Sequence, residues 1–453
     1  METITALLEA GRRAHLIGVG GVSMSALAEV LAERGLIVSG SDRSESEATA
    51  RLKERGILVE IGESGLYLPG ADVVIRTAAA REENPEVSAA RGMGIALIER
   101  ADAWGELMRV YKTSICVAGT HGKTTTTGML AHIAMEAKLD PTVMLGGRLP
   151  LFDAGHRSGK GDVIIAEACE YHNSYHRFCP TTAIVLNIDP DHLDFFSGLP
   201  DMSESFTTFA NLVPEEGGIV VANEEDRNTR NALKRMDRHV VWFGDNGDVY
   251  ADKVSQSRGK YSFSVIAEEK HYANVKLKVP GRHNMQNALA AAAAAWANGM
   301  PGSAVEKGLF GFTGAGRRME YIGTFSGSEL YDDYAHHPSE VAATLEAVKL
   351  MEKRRNICIF QPHTYTRAKA FFEEYVTALS GFDKVYLADI YAAREADTGD
   401  ISSEMLAERI PQARYFDSFE AIAEAVRNDA RKGDLVLTMG AGDVNEIGKL
   451  LVV

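Results

Sequence analysis

The chain has 453 residues, of which 45% are hydrophobic and 25% charged, and its formal net charge at pH 7 is −15. This composition is typical of a globular protein of about three domains, and the negative charge argues against a nucleic-acid partner, which needs a basic surface. No apolar run approaches the ~20 residues of a membrane-spanning helix and no secretory signal is recognisable, so we predict a cytoplasmic protein with no membrane partner.

The first predicted elements are a strand, a glycine-rich turn and a helix within residues 14–42. The apolar residues of VSMSALAEVLAERG recur at helical spacing, and Gly35 stands where a glycine ends such a helix. Further strands at 71–78 and 95–99 complete an α/β unit, for which we predict the bounds 1–109.

The glycine turn of this unit begins at Gly18, and the next strand ends at Asp42. In a dinucleotide-binding fold such glycines let the backbone approach a diphosphate, and the acid binds a ribose hydroxyl. Ser23 stands where the third glycine is expected, so the pattern does not specify NAD. A diphosphate ligand is favoured over the alternative, a tight turn that binds nothing.

The segment VAGTHGKTTTTGML, residues 117–130, lies between a predicted strand and a predicted helix. This is the context of a phosphate-binding loop, in which backbone amides wrap a phosphate, Lys123 neutralises its charge and the Thr124 hydroxyl can bind Mg²⁺. Val117 stands where the usual loop has its first glycine, so the loop is shorter and Gly119 makes the turn. The motif predicts ATP binding and leaves the reaction open.

Two later strands of the same unit end in acidic residues and a histidine. The strand DVIIAE ends at Glu167, and TAIVLNI runs into DPDHLD, which contains His192. Because the carboxyl ends of parallel strands meet at one edge of a sheet, these side chains should face the phosphate loop. Such ligands suit Mg²⁺, whereas zinc is disfavoured because the nearby cysteines lack paired spacing.

The rest of the chain divides into an antiparallel region, a buried helix, a linker and a third α/β unit. Residues 245–280 alternate polar and apolar side chains, the alanine-rich run 288–297 suits a buried helix, and 312–318 reads as a glycine-bearing linker. Three apolar strands then predict a parallel sheet, at 357–363, 384–390 and 435–443.

Two polar motifs lie in this third unit, DDYAHHP at 332–338 and FQPHTYTR at 360–367. Arg367 is a candidate clamp for a carboxylate, because a guanidinium pairs with that group through two hydrogen bonds. For His337 and His363 the pattern allows both a functional role and a purely structural one.

Taken together, these motifs make the chain resemble the Mur ligase family. The matching segments follow the family's order along nearly the whole chain: HLIGVGGVSMSALAEVL, SGSD, GTHGKTTTT, EACEYHNSYHRFCPTTAIVLNIDPDHLDFF, GRHNMQNALAA, GRRMEYIG, DDYAHHPSEV, FQPHTYTRAKAF and TMGAGDV. The resemblance implies an α/β protein with three domains: a Rossmann-like UDP-sugar-binding domain at 1–109, a P-loop ATPase domain at 110–315, and a Rossmann-like amino-acid-binding domain at 316–453.

The resemblance also implies a reaction. With ATP and Mg²⁺, the lactyl carboxylate of UDP-N-acetylmuramate would become an acyl phosphate that L-alanine attacks, releasing ADP and phosphate, in peptidoglycan precursor synthesis. The domains would close around these substrates, with hinges near 105–113 and 312–317. We expect a monomer or a weak homodimer.

Residues at matching positions receive their roles from the resemblance. Catalytic roles fall to Lys123, Glu167, His192 and Arg367. The ATP-binding set is Gly119, Thr120, His121, Gly122, Lys123, Thr124, Thr125, His283, Asn287, Arg318, Asp333 and His336. Mg²⁺ would be held by Thr124, Glu167 and His192. The UDP-sugar would meet Gly20, Gly21, Ser23, Met24, Asp42 and Thr77, and L-alanine would meet His363 and Arg367.

Three positions depart from the family pattern. Thr364 stands where several relatives carry arginine, so the alanine site would depend more on Arg367 and His363. Asn173 lies near a position that is often acidic in relatives. Some Mur ligases carry a carbamylated lysine after the magnesium histidine, but no lysine occurs between Lys160 and Lys234 in this chain.

Other functions fit the sequence less well. A recycling ligase would join a tripeptide to the same UDP-sugar, but a bulkier amine should need a different pocket from FQPHTYTR. A folate polyglutamyl ligase would share the ATPase core and lack the UDP-type first unit. An NAD dehydrogenase would leave GTHGKT unexplained, and a nucleotide-dependent switch would not need the catalytic set retained here.

Overall fold

The computed structural model describes residues 3–77, 79–393, 395–397 and 399–452, and it contains three sheets that follow one another along the chain. Ala78, the last residue of the predicted strand 71–78, lies outside the described residues. We call the three sheets with their helices the N-terminal, central and C-terminal units.

The N-terminal unit is a five-stranded parallel sheet in the order β3-β2-β1-β4-β5. Its elements are α1 (Ile4–Leu7), β1 (Arg13–Ile17), α2 (Val22–Glu33), β2 (Ile37–Asp42), α3 (Glu47–Glu54), β3 (Leu58–Ile61), β4 (Val73–Arg76), α4 (Pro85–Gly92), β5 (Ala96–Glu99) and α5 (Arg100–Met108). Gly35 follows α2 with φ +91°, which confirms the predicted helix end. The strand order reverses beside β1, so the Gly18 loop opens into a crevice there.

The central unit has one ten-stranded sheet in the order β15-β14-β13-β12-β11-β10-β6-β9-β7-β8. Its elements are β6 (Thr113–Ala118), α6 (Lys123–Glu136), β7 (Thr142–Leu149), β8 (Ala154–Arg157), β9 (Val163–Glu167), a 3₁₀ segment (Tyr171–Arg177), β10 (Thr182–Val185), α7 (Leu199–Ala210), β11 (Ile219–Asn223), α8 (Arg227–Leu233), β12 (His239–Phe243), β13 (Val249–Ser257), β14 (Lys260–Ala267), β15 (Lys270–Pro280), α9 (Arg282–Ala297) and α10 (Gly302–Gly311). β6 lies between β9 and β10, and this second reversal places the phosphate loop at a crevice.

The antiparallel strands predicted within 245–280 are present as β13, β14 and β15. They extend the parallel sheet through a single pairing, Phe243 with Val249. The alanine-rich helix is α9, and its residues from Ala288 to Ala295 are buried, as predicted. Within the described part of the chain, no helix combines the length and the hydropathy needed to cross a membrane.

The C-terminal unit is a six-stranded sheet in the order β16-β17-β21-β18-β19-β20. Its elements are β16 (Glu320–Phe325), β17 (Ser328–Asp333), α11 (Pro338–Lys349), β18 (Asn356–Phe360), α12 (Tyr365–Ala370), α13 (Phe372–Leu379), β19 (Lys384–Leu387), α14 (Ser403–Arg409), β20 (Ala413–Tyr415), α15 (Phe419–Asp429), β21 (Leu435–Met439) and α16 (Asn445–Val452). The predicted parallel strands are confirmed, and β16 adds an antiparallel edge strand. Both polar motifs follow strands of this sheet, β17 and β18.

Candidate functional site

The loop between β6 and α6 is shaped by two glycines in left-handed backbone conformations. Gly119 has φ +145° and Gly122 has φ +84°. A Cβ atom on Gly122 would lie 2.4 Å from the side-chain oxygen of Asn287. Gly122 precedes α6 and offers no side-chain cap to its first turn, so the amides of that turn can bind an anion. The predicted phosphate loop therefore has the backbone such a site requires.

Lys123 points back across this loop towards the strand ends. Its Nζ donates to the carbonyl oxygens of Gly119 at 2.6 Å and Thr120 at 3.1 Å, and to Glu170 Oε2 at 2.9 Å. Burial alone would lower the pKa of Lys123, but the nearby negative groups, Glu170 first and then Cys169 and Glu167, together raise that pKa above its ordinary value. The lysine is therefore a fixed cation at the loop.

Thr124 and Glu167 meet at the carboxyl end of β9. The Thr124 hydroxyl donates to Glu167 Oε2 at 2.9 Å, and the amide of Gly146 donates to the same oxygen at 2.7 Å. His192 has its Nε2 3.7 Å from Glu170 Oε1, and its ring stacks on Tyr171. The oxygens of Thr124 and Glu167 are in contact and suit the predicted magnesium site, whereas the contact of His192 is with Glu170.

His121, from the phosphate loop, connects the central unit to the C-terminal unit. Its Nε2 lies 3.2 Å from Asp189 Oδ2, and its Nδ1 lies 3.2 Å from Glu340 Oε1. Burial alone would lower the pKa of His121, but the hydrogen bonds to the two carboxylates raise it to about 9. His121 is therefore an imidazolium that donates from both nitrogens at neutral pH.

His337 lies beside this ion-pair network. Its Nδ1 accepts from the amide of Ser339 and caps α11, while its Nε2 donates to the carbonyl oxygen of Pro190. Its Nδ1 is 3.9 Å from Asp189 Oδ2, so these side chains and His121 could approach one metal ion. Because both nitrogens of His121 carry protons, an ion-pair network suits the group better. The structure thus favours the structural role for His337.

A cavity of about 320 Å³ lies between α6, α9 and the C-terminal unit. Among the residues assigned to ATP, it is lined by His121, Gly122, Thr125, His283, Asn287, Arg318 and Asp333. The Nδ1 atom of His283 is buried without a hydrogen-bond partner, and burial lowers the pKa of this histidine to about 4. This nitrogen packs beside Gly281 and does not face the cavity, so His283 offers a purine the face of a neutral ring.

Asp333 and His336 lie at the edge of this site, in the C-terminal unit. Asp333 accepts from the amides of Met319 and Ala335, and burial raises its pKa to about 6. His336 does not line the cavity. Its Nδ1 lies 3.3 Å from Glu340 Oε2, its ring lies edge-on to His363, and burial lowers its pKa to about 4.

A second cavity of about 320 Å³ lies between the N-terminal and central units. Four of the residues assigned to the UDP-sugar line it, namely Gly21, Ser23, Met24 and Thr77. Glu167 forms part of its wall, so this cavity reaches the phosphate loop. Gly20 and Asp42 are not in the wall; instead, the amide of Gly20 donates to Asp42 Oδ2 at 2.8 Å, which fixes the glycine turn.

His363 and Arg367 lie together at the start of α12. Arg367 Nη1 donates to the carbonyl oxygen of His363, and its Nε and Nη2 donate to Asp191 Oδ1 at 3.0 and 2.7 Å. The predicted carboxylate clamp therefore already holds one carboxylate of the protein. The ring of His363 stacks on Tyr391. Thr364, which departs from the family pattern, donates to Glu395.

Several residues of the site were not assigned by the sequence. Glu170, Asp191 and Glu340 all fall inside segments quoted for the resemblance but received no role. Each contacts an assigned residue from elsewhere in the chain, and His121 and Glu340 are 219 positions apart. Helical spacing places Glu340 one turn from His336, and this was the signal available for it.

The chain matches three models of one family in succession. These are described as Mur ligase family, catalytic domain, over residues 13–112; Mur ligase middle domain, over 117–295; and Mur ligase, glutamate ligase domain, over 317–442. Together they span most of the chain, and each falls mainly on one of the three units.

Similar proteins carry consistent names. The chain is 43% identical to the UDP-N-acetylmuramate–L-alanine ligase of Caldicellulosiruptor saccharolyticus, with 96% of this chain and 97% of the relative covered. It is 41% identical to the ligase of the same name from Clostridium novyi, with 98% of each covered. A solved UDP-N-acetylmuramate–alanine ligase of Thermotoga maritima is 28% identical, covers 97% of this chain and 98% of its own, and has a TM-score of 0.80.

A more distant solved structure shares the fold. It is a MurF ligase of Thermotoga maritima in complex with ADP, 19% identical to this chain, with 91% of this chain and 94% of its own covered and a TM-score of 0.66.

Proposed function

Because this chain belongs to the Mur ligase family, we propose that it joins L-alanine to the lactyl carboxylate of UDP-N-acetylmuramate at the expense of ATP. The carboxylate receives the terminal phosphoryl group of ATP, the resulting acyl phosphate is attacked by the amine, and ADP and phosphate are released. This is a step of peptidoglycan precursor synthesis, which we place in the cytoplasm.

The observation that carries the proposal is the position of Glu167. Its carboxylate lines the cavity assigned to the UDP-sugar and also accepts a hydrogen bond from Thr124 in the phosphate loop. A substrate carboxylate in that cavity would therefore lie beside the phosphoryl group that must reach it. Phosphoryl transfer depends chiefly on such positioning and on charge neutralisation.

In this arrangement Lys123 holds the charge of the ATP phosphates, and the amides at the start of α6 bind their oxygens. Thr124, Glu167 and His192 are the residues that would hold Mg²⁺. The ion would neutralise charge on the transferring group. Glu170 keeps Lys123 in place through the contact at 2.9 Å.

The adenine base, and the part of ATP that lies away from the phosphate loop, are assigned to the cavity between the central and C-terminal units. His283 and Asn287 would meet the adenine from α9, and Arg318 and Asp333 would reach the nucleotide from the C-terminal unit. His336 is proposed to act at the boundary of this cavity and the amino-acid site, because its ring lies against His363.

L-alanine is assigned to His363 and Arg367. A guanidinium in this position attracts the carboxylate of the amino acid, and the amine is then directed towards the acyl phosphate. We further propose domain bounds near 109 and 315, which the three sheets and the matches at 13–112, 117–295 and 317–442 support. A monomer or weak homodimer is proposed from the sequence alone.

The test is phosphate release by the purified protein with ATP, Mg²⁺ and UDP-N-acetylmuramate, with single amino acids added in turn. Release that requires both the UDP-sugar and L-alanine is expected. Activity with a tripeptide in place of alanine would instead identify a recycling ligase, and no release in any combination would indicate a binding module.

Lys123→Ala should lower kcat/KM by about 10³-fold or more while UDP-sugar binding persists, because the residues assigned to that ligand belong to the N-terminal unit.

A further inference from the structure

Asp191 is buried where the central unit meets the C-terminal unit, and it faces Arg367 across that boundary. The exposed fractions of the two side chains are 7% and 10%. Nε and Nη2 of Arg367 both donate to Asp191 Oδ1, at 3.0 and 2.7 Å. The two side chains therefore form a buried ion pair across the boundary.

The same carboxylate also holds the loop of His192. The amide of His192 donates to Asp191 Oδ1 at 2.7 Å, so three N–H groups converge on one oxygen. Two of them come from the C-terminal unit and one from the backbone of the predicted metal-binding residue. Asp191 thus joins the amino-acid site to the loop at the phosphoryl-transfer site.

These contacts limit how Arg367 can bind a substrate. Asp191 uses the Nε–H and one Nη2–H, and His363 engages Nη1 twice, through its carbonyl oxygen and through its ring Nδ1 at 3.1 Å. A guanidinium has five N–H donors, so the second Nη2–H is left for the carboxylate of an amino acid. Its direction is fixed because the other four are held.

We propose that Asp191 is a positioning residue for the amino-acid substrate: it holds Arg367 so that the remaining Nη2–H faces the substrate carboxylate. The inference depends on the proposed function, in which that substrate is L-alanine. Since Asp191 belongs to the central unit, the orientation exists only where the two units touch. A freed arginine would sample many rotamers and lose this pre-organisation.

The experiment compares the steady-state kinetics of four forms of the full chain: wild type, Asp191→Asn, Arg367→Ala and the double variant. Asp191→Asn should raise the KM for L-alanine by about tenfold or more and change the KM for ATP and for the UDP-sugar by less than about threefold. In the Arg367→Ala background the same change should have almost no further effect on the KM for alanine, because Asp191 acts through Arg367. Glu204→Gln, an exposed carboxylate on α7, serves as the charge-matched control.

Two results would overturn the inference: additive effects of the two substitutions on the KM for alanine, or an equal rise in KM for all three substrates. Melting temperatures check that each variant is folded. If Asp191→Asn does not fold, Asp191→Glu takes its place, because it keeps the charge and displaces the guanidinium; an unchanged KM for alanine would then count against the inference. Failure of the proposed function is distinguishable, since it would already appear as missing alanine-dependent release in the wild type.

Discussion

At the scale of single residues, the site is built from charges that neutralise one another across long stretches of sequence. Lys123 pairs with Glu170, Arg367 with Asp191, and His121 with two carboxylates at once. Each charge is at least partly buried, and a buried charge that loses its partner is strongly destabilising. Titration of one member should therefore be visible in the stability of the protein.

His121 gives such a prediction. Its pKa is raised from 6.5 to about 9, so its contribution to stability is fully present below about pH 6.5 and is lost as the pH rises through 9. The shift corresponds to at most about 3 kcal/mol, and less in practice because the side chain is 19% exposed. The melting temperature of wild type should exceed that of His121→Gln by more at pH 6.5 than at pH 9.5.

Thermal unfolding of both proteins at the two pH values measures this difference. His239→Gln is the control, because His239 is an exposed histidine on β12. The difference in melting temperature between wild type and this variant should not shrink comparably between pH 6.5 and pH 9.5. A gap between wild type and His121→Gln that is the same at both pH values would show that the imidazolium is not what stabilises the boundary.

At the scale of elements, α6, the helix that follows the phosphate loop, packs closely against α10. Gly308 of α10 lies against α6, and a Cβ at that position would come within 2.6 Å of the backbone nitrogen and Cα of Ile133. Backbone atoms of a buried helix cannot move aside cheaply, so Gly308→Ala should separate α10 from α6 and cost about 1–3 kcal/mol.

Differential scanning calorimetry of Gly308→Ala should show a lower melting temperature. The KM for ATP should change little at temperatures where the variant is folded, because Gly308 is not in the wall of the nucleotide cavity. Ser303→Ala, an exposed position on the same helix, is the matched control. An unchanged melting temperature for Gly308→Ala would mean that the two helices adjust without strain.

Most of these elements could be predicted from the sequence, because apolar periodicity and glycine placement are local signals. The phosphate loop, α9 and the parallel strands of the third unit are examples. The antiparallel edge strand β16 was not predicted, since its six residues show no buried face: none of them is buried in the structure. Pairings such as Arg367 with Asp191 depend on how the units meet, and no local pattern encodes that contact.

At the scale of the whole molecule, the boundary between the central and C-terminal units is crossed by ion pairs and hydrogen bonds. They include His121 with Glu340, the Ser339 hydroxyl with Asp189, and Arg367 with Asp191. Polar boundaries of this kind allow relative motion of domains, and salt weakens their partly exposed ion pairs. Of the hinge segments predicted from the sequence, residues 105–108 belong to α5, so the first predicted hinge is reduced to 109–112.

Small-angle scattering can therefore measure whether the three units close around the substrates. A compact chain of this length has a radius of gyration of about 22 Å. Without ligands, raising the salt concentration from 0.05 to about 0.5 M should increase that radius by roughly 1 Å or more, because the ion pairs at the boundary are screened. A non-hydrolysable ATP analogue with the UDP-sugar should reverse the increase, since the cavities proposed for these ligands lie between the units. A radius of gyration that responds to neither salt nor ligands would mean that the three units form one rigid body. The amino-acid site would then be assembled before any substrate binds.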